Sequence, residues 1–452
     1  MKKLIFWLLV IAFHPCFAQT APSVQYTLVP GWGTNTMLQG RVSNTTLADH
    51  GVAVYIFLEE AGGWWNKPYA GTPVTPIRPD SGFSVNIAIA ATDPYATKII
   101  AFLVPLSYVP PVLSGGDLPA QLLSYPYVVS CRPHGNRVIS WSGLEWVVKK
   151  SIGSSPIPMG PGPNIFNDND TMVWVDSRQK LHLRIARHGS AWHCSELICK
   201  SSLGYKRYSF EAGSRVDLLD PNVIAGMFTW DDCAPFARPP DPAYREIDLE
   251  FSRWGDPGNK NSQFVIQPYD IPGNMNRFDM NLAGTGHSDH FFDWSPDSVG
   301  FQSRWGDSSC SWTYNKTINI PVPGSENVRI NFYLYKGFSP ADRSNAEFVL
   351  NSFTTGTAGD APLPRNVRIF PNPTETGCEI DLFETQGTNS EIGVFDLRGK
   401  LARRIFSGKL AAGRNRLEWD GRREDGANAS PGLYLLYIRD LIGTRYYKII
   451  KI

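Results

Sequence analysis

Glu246, Asp248 and Glu250 alternate with Ile247 and Leu249 in the run Glu246-Ile247-Asp248-Leu249-Glu250. Successive side chains of a β-strand point to opposite faces, so this spacing puts three carboxyls on one face and two aliphatics on the other. Carboxylates in a row repel one another, and a merely solvated strand usually avoids that arrangement. The apolar face needs a core, and the acid face of such a central strand then looks into a cleft. Carboxyls held there are candidates for acid–base chemistry. The Cα atoms of residues four apart on a strand are about 13 Å apart. Side chains leaning inward close much of that gap, toward the roughly 5–5.5 Å carboxyl separation of a retaining glycosidase. Asp248, shorter and central, is suited to hydrogen-bond a neighbouring carboxyl and set the protonation states. On these five residues alone, a bland acidic strand is an equal alternative.

The elements that must position these acids read as β throughout. Residues 52–58, 83–89 and 99–104 are β-branched or aromatic runs bounded by Gly, Pro and Asp, the pattern of short strands between turns. No segment sustains a helical period. Residues 22–133 are expected to form a small β-sandwich. Trp32, Trp64, Trp65 and Tyr69 are expected in its Gly-rich loops, either stacking on sugars or, the favoured reading, packing locally in a spacer module. A second block, 137–354, opens with the Pro/Gly stretch 154–164 and carries the acid strand. The Thr-, Gly- and Pro-rich run at 355–364 reads as a linker, and 365–452 as a third, short β block.

The chain has 452 residues, enough for roughly two to four domains. Lys plus Arg number 43 against 42 Asp plus Glu. This balance gives no electrostatic reason to expect nucleic acid or an anionic membrane surface. The 14 Trp are costly as core filler and useful as flat faces for sugars. Residues 1–18 read as a secretory signal: Lys2 and Lys3, an apolar stretch at 4–13, and Cys16-Phe17-Ala18 as the cleavage site. That stretch is about half the ~20 residues a membrane span needs. Removing Cys16 leaves Cys131, Cys194, Cys199, Cys233, Cys310 and Cys378, which allow about 15 connectivities. Cys194 and Cys199 are the nearest pair and are expected to be able to staple a turn. No spacing resembles a zinc site, and no metal is expected at the acids.

The surroundings of the acid strand carry a resemblance. Arg245 through Gly255, Arg-Glu-Ile-Asp-Leu-Glu-Phe-Ser-Arg-Trp-Gly, resembles the signature strand of glycoside hydrolase family 16. Gly226-Met227-Phe228-Thr229-Trp230 is similar to the cleft strand before that signature. Phe291-Phe292-Asp293-Trp294-Ser295-Pro296-Asp297 resembles the family's aromatic-Asp-Trp-x-Pro-Asp strand, and Asn331-Phe332-Tyr333 its Asn-Leu-Trp strand. The resemblance spans 137–354 and implies a concanavalin-like jelly-roll. It implies Glu246 as nucleophile, Glu250 as general acid/base and Asp248 as assisting carboxylate. It places Glu196, Trp230, Tyr244, Gln267, Asn331 and Tyr333 along the sugar subsites. Trp254 and Trp305 are weaker candidates, and Trp294 reads as core. Three departures concern the substrate: Val265 stands where the family usually has Asn, Tyr244 where it often has Trp, and the loop at 231–243 is long. No organic cofactor is implied, and a structural Ca²⁺, which some members carry, is compatible with the resemblance.

The third block contains Val367-Arg368-Ile369-Phe370-Pro371-Asn372-Pro373, then Val394-Phe395-Asp396-Leu397-Arg398-Gly399, Trp419-Asp420-Gly421 and Pro431-Gly432-Leu433-Tyr434. It reads as a mini-sandwich of seven or eight strands. The order of motifs resembles the C-terminal sorting domain of type IX secretion cargo. This implies a Bacteroidetes-type host, passage through the periplasm and across the outer membrane, and secreted or cell-surface delivery. The expectation is thus an all-β, three-domain secreted endo-β-glycosidase acting on a β-glucan or galactan. Its alternative is a non-catalytic carbohydrate-binding protein on the same fold.

Overall fold

The computed structural model describes residues 21–153, 156–356, 367–384, 388–411, 413–440 and 443–452. The expected signal at 1–18 lies outside them, as does the expected linker except for Thr355 and Gly356, which end the strand Ala346–Gly356. The described residues are all-β apart from short 3₁₀ turns. Among them no helix is long and apolar enough to cross a membrane.

Contacts divide the chain into two compact units, one comprising residues 1–137, 149–159 and 235–239, the other 138–148, 160–234 and 240–452. In the first unit, Ser23–Leu28, Leu38–Ser43 and Gly82–Val85 form one antiparallel sheet, and Gly63–Lys67, His50–Leu58, Lys98–Pro105 and Tyr127–Cys131 another. The sequence Val52-Ala53-Val54-Tyr55-Ile56 does not alternate with polar residues because this strand is buried on both faces. Val52, Val54 and Ile56 meet Leu38, Phe83 and Leu103, while Ala53 and Tyr55 meet Trp64 and Phe102. The run expected at 83–89 is strand only to Val85. Beyond it the Asp93 carboxylate accepts the N–H groups of Ile89 and Ala90, replacing a ladder partner. Trp64 and Trp65 lie in the strand Gly63–Lys67 rather than a loop, and Trp32 and Trp64 are buried. The segment 235–239 of the long loop belongs to this unit: Phe236 stands edge-on to Trp64, and its carbonyl accepts Tyr127 Oη–H at 2.8 Å.

The second unit contains a jelly-roll sandwich. One sheet runs Met275–Phe278, Ser262–Ile266, Ile247–Phe251, Val223–Trp230, Asn327–Leu334, Ala191–Cys199, with Leu144–Val148 also pairing Ala191–Cys199. The other runs Ser308–Tyr314, Val299–Trp305, Ser288–Trp294, Arg207–Ala212, Ala346–Gly356, Leu181–His188. The hairpin of Leu181–His188 with Ala191–Cys199 joins them. Between the sheets, Ile247, Leu249 and Phe251 are at most 1% exposed. Phe251 packs on His290, and the neighbouring Phe264 stacks on Phe301. This burial anchors the acid strand: truncating Leu249 to Ala costs about 2–5 kcal/mol by the usual core scale.

Residues 367–384, 388–411, 413–440 and 443–452 contain two further sheets around their own core. One has Val367–Phe370, Cys378–Glu384 and Gly413–Trp419; the other has Leu401–Leu410, Thr388–Asp396, Gly432–Asp440 and Gly443–Lys451. The Asn372 side chain clamps the last strand, donating to Lys448 O at 2.8 Å and accepting from Ile450 N at 2.9 Å.

The cysteines correct one expectation. Cys194 and Cys199 are both free thiols, because each is buried on the strand Ala191–Cys199 with no turn between them. Cys131 and Cys233 are the disulfide-bonded ones among the described residues.

Candidate active site

The strand Ile247–Phe251 lies between Val223–Trp230 and Ser262–Ile266, and their register builds the acid face. One rung holds Glu196, Asn331, Gly226, Glu250, Gln263 and Arg277 abreast. The next holds Arg329, Phe228, Asp248, Val265 and Met275. A Cβ on Gly226 would come within 2.4 Å of Asn331 Oδ1, so a larger residue here would have to displace that side chain. Glu246 sits one residue before the strand, following Tyr244 and Arg245 at φ of 57° and 54°. Left-handed backbone at two consecutive non-glycine residues is strain of the kind that accumulates at functional sites. It is held by Thr229, whose Oγ1 donates to Arg245 O at 2.7 Å and accepts Ile247 N–H at 3.1 Å.

The three carboxyls share one face, on which Asp248 is buried and Glu246 and Glu250 are half-buried. Burial, then repulsion from Glu250, pushes Glu246 up to about 8, against a hydrogen bond from Asp248 and the Arg329 charge. Asp248, 3% exposed, is raised first by burial and then by Glu246 and Glu250. Val265 and Phe228 flank it in the sheet. Gln267 Nε2 donates to Asp248 Oδ2 at 3.0 Å, and the hydrogen bond between Asp248 and Glu246 raises Asp248 while lowering Glu246. Glu250 is raised by burial, opposed by Gln263, which donates to Oε2 at 2.5 Å, and by the Arg277 charge. A carboxylic acid held neutral beside a carboxylate can hydrogen-bond it and hold it in place. The arrangement therefore has a buried acid between two groups able to take opposite roles.

A buried ion cluster adjoins the acids. Arg329 Nη2 lies 2.5 Å from Asp232 Oδ2, and Nη1 lies 3.6 Å from Glu196 Oε1. Asp232 Oδ1 accepts Trp230 Nε1–H at 2.9 Å. The Trp230 ring stacks on Tyr244, centroids 4.3 Å apart. Ion pairing thus fixes an aromatic platform two residues from Glu246.

The residues singled out from the sequence fall as follows. Glu246, Asp248 and Glu250 come together. Gln267 touches Asp248, and Trp230 pairs with Tyr244. Tyr333 is half-buried, and its phenol is raised by burial and by the nearby Glu250, Asp248, Glu246 and Glu196. Glu196 and Asn331, at 1% and 5% exposure, are beneath the surface; Glu196 faces Arg329 rather than an open groove. Trp294 is core, fully buried with Nε1 donating to Pro321 O. Sequence reasoning missed Arg329, Asp232, Gln263 and Arg277. Gln263 was accessible through its alternation with Gln267; the others depend on partners far along the chain. Among the described residues, no group of three or more His, Cys, Asp or Glu has the geometry to hold a metal ion.

Fold and site together define an all-β sandwich with a carboxyl-lined face. The FlgD Ig-like domain family matches residues 375–439. No curated protein matches the chain. Among solved structures, the chain is similar to a prokaryotic β-1,3-1,4-glucanase (lichenase) derived from a mouse hindgut metagenome, at 16% identity over 49% of this chain and 95% of that one, with a TM-score of 0.36. It is similar to the laminarinase from Flavobacterium sp. UMI-01, at 13% identity over 47% and 93%, TM-score 0.37. It is also similar to Rv0315, a pseudo β-1,3-glucanase of Mycobacterium tuberculosis, at 17% identity over 47% and 90%, TM-score 0.36.

Proposed function

We propose that the protein is a secreted, retaining endo-β-glycosidase that hydrolyses a polysaccharide of the β-glucan or galactan class. The observation that carries this reading is the placement of three acids on one face of one strand and its approach, with Gln267 Nε2 3.0 Å from Asp248 Oδ2 and Gln263 Nε2 2.5 Å from Glu250 Oε2. Glu246 attacks the anomeric carbon while Glu250 gives its proton to the leaving oxygen. Water, deprotonated by Glu250, then attacks the glycosyl-enzyme and frees Glu246. Asp248 holds Glu246 in line and shares its charge. Trp230 and Tyr244 offer apolar ring faces to sugar C–H surfaces, and Gln267, Asn331 and Tyr333 orient the acids and the sugar.

A second reading, a non-catalytic carbohydrate-binding protein, is favoured by the upward shift of all three acids, which holds back ionisation of the nucleophile near neutrality. Incubation with laminarin, mixed-linkage glucan, agarose and carrageenan, with analysis of the products, separates the two. Release of oligosaccharides from one of them supports the enzyme. Retention on a polysaccharide affinity gel without release supports the binder.

The part from Val367 onward serves, in this account, as a type IX sorting domain, and residues 1–18 as the export signal. Ending the chain at 356 leaves hydrolysis by the purified protein intact and stops surface delivery in the native host. Surface delivery of the shortened chain would refute the sorting role.

A further inference from the structure

The rung that carries Glu250 continues outward through two residues that the reaction scheme does not use. Gln263 Nε2 donates to Glu250 Oε2 at 2.5 Å, and Arg277 Nε donates to Gln263 Oε1 at 2.8 Å. Arg277 is held on two further sides. Its Nη1 donates to Asn259 Oδ1 at 3.1 Å, and its guanidinium lies 4.5 Å over the Trp254 ring. Trp254 is fixed in turn by a left-handed backbone at φ 47° and a 2.9 Å bond from its N–H to Ser252 Oγ.

A primary amide fits such a chain in two orientations related by a flip, and its neighbours decide between them. A guanidinium has donors and no acceptor. Gln263 must therefore present its carbonyl oxygen to Arg277, because the flipped amide would set donor against donor. Its NH₂ group then faces Glu250, and Glu250 Oε2 is an acceptor. A carboxyl oxygen that accepts from an N–H along this line does not carry a proton directed at the same nitrogen. The carbonyl oxygen of a carboxylic acid is its better acceptor, so this contact favours Oε2 as the carbonyl and Oε1 as the oxygen that carries the proton when Glu250 is neutral.

We infer that Arg277, acting through Gln263, is a positioning residue that keeps the proton of Glu250 on Oε1, the oxygen left for the leaving group; this rests on the acid/base reading of Glu250. As the bond from the anomeric carbon to the leaving oxygen breaks, its electron pair stays on that oxygen, which takes the Oε1 proton. A Glu246 oxygen supplies the pair for the new bond at carbon, and Glu250 is left as a carboxylate with Oε2 still bonded to Gln263. Without Arg277 the amide is free to turn. A flipped Gln263 would accept a proton from Oε2, and the proton would be held away from the leaving group. Burial in the sheet favours the neutral form of Glu250, so the question of which oxygen holds the proton arises across the working pH range.

The test uses the full chain, the polysaccharide that wild type cleaves, and aryl glycosides of its product oligosaccharide with phenol and 2,4-dinitrophenol as leaving groups. Arg277→Met and Gln263→Leu are expected to lower kcat/KM on the phenyl glycoside about 10- to 100-fold, part of the usual value of general acid help, while leaving the dinitrophenyl glycoside within about 3-fold. KM changes little on both. Arg277→Lys, again donor only, is expected to restore most of the phenyl rate. Equal losses on both leaving groups, or none, would overturn the relay while the hydrolase reading stands. If Arg277→Met does not fold, Gln263→Leu decides by the same comparison. A wild-type protein that cleaves none of the polysaccharides would overturn the hydrolase reading and the relay with it.

Discussion

Tyr244 lies flat on Trp230, with ring planes 8° apart and centroids 4.3 Å apart. The pair is tied through Trp230 Nε1 to Asp232, and through Asp232 to the buried Arg329. Tyr244 also adopts the left-handed backbone that leads into Glu246. One residue therefore joins an aromatic surface to Glu246.

Removing that surface is expected to weaken sugar binding more than chemistry. An aromatic pair is worth about 0.5–1.5 kcal/mol beyond its buried area, so Tyr244→Ala is expected to raise KM roughly 2- to 10-fold. Tyr244→Phe keeps the ring and is expected to stay near wild type. Steady-state kinetics on the cleaved polysaccharide give the answer, and an unchanged KM in Tyr244→Ala would remove the platform from the account.

The acid face should lower stability as pH rises. A carboxyl whose folded pKa is raised contributes stability that is complete below its unfolded value and is lost as pH climbs through the folded one. For Glu246 that window runs from the ordinary value of 4.5 to about 8. Glu246→Gln removes the ionisable group, so it is expected to raise Tm relative to wild type at pH 8 and to gain much less at pH 4. Thermal melts at both pH values test this, and an equal shift at both would contradict it.

His290 should work in the opposite sense. It is 1% exposed, bonded to Ser303 Oγ and Ser288 Oγ at 2.8 Å each, and burial lowers it to about 3. A depressed histidine leaves stability intact above its unfolded value of 6.5, and that stability is lost as pH falls toward the folded value. His290→Asn is expected to be less stable than wild type at pH 7.5, since the Phe251 packing is lost. The gap should narrow by pH 5, where wild type carries the cost of keeping the imidazole neutral. A gap that is constant between these pH values would show that His290 does not drive the acid response.

Much of this site was legible in the sequence because it depends on period two. Glu246, Asp248 and Glu250 share a face by spacing alone, and Ile247 and Leu249 are core for the same reason. Arg329 and Arg277 were not legible. Each meets the acids only through register with strands on either side, and Arg329 reads in sequence as an ordinary charge within Val328-Arg329-Ile330. Glu196 was found by resemblance, but its burial and its place beside Arg329 were not, because the resemblance does not include Arg329. In the first unit, the short strand Gly82–Val85 was overread because Asn86, Ile87 and Ile89 continue a strand-like composition while Asp93 takes up the backbone N–H groups. The free state of Cys194 and Cys199 was misjudged because closeness in sequence says little when both lie on one extended strand.

The assignment of opposite roles to Glu246 and Glu250 is tested most directly by the products that azide forms with two truncation variants. Glu250→Ala retains the nucleophile and lacks the proton donor, so an aryl glycoside with a good leaving group still forms the glycosyl-enzyme. Azide then enters where water would come and gives the β-glycosyl azide. Glu246→Ala lacks the nucleophile, and azide in its place attacks the opposite face and gives the α-azide. Loss of acid/base help should lower turnover of the polysaccharide about 10²- to 10⁴-fold. NMR of the anomeric protons identifies each azide. β-Azide from Glu250→Ala and α-azide from Glu246→Ala are the expected products, and the reverse pattern would contradict the assigned roles.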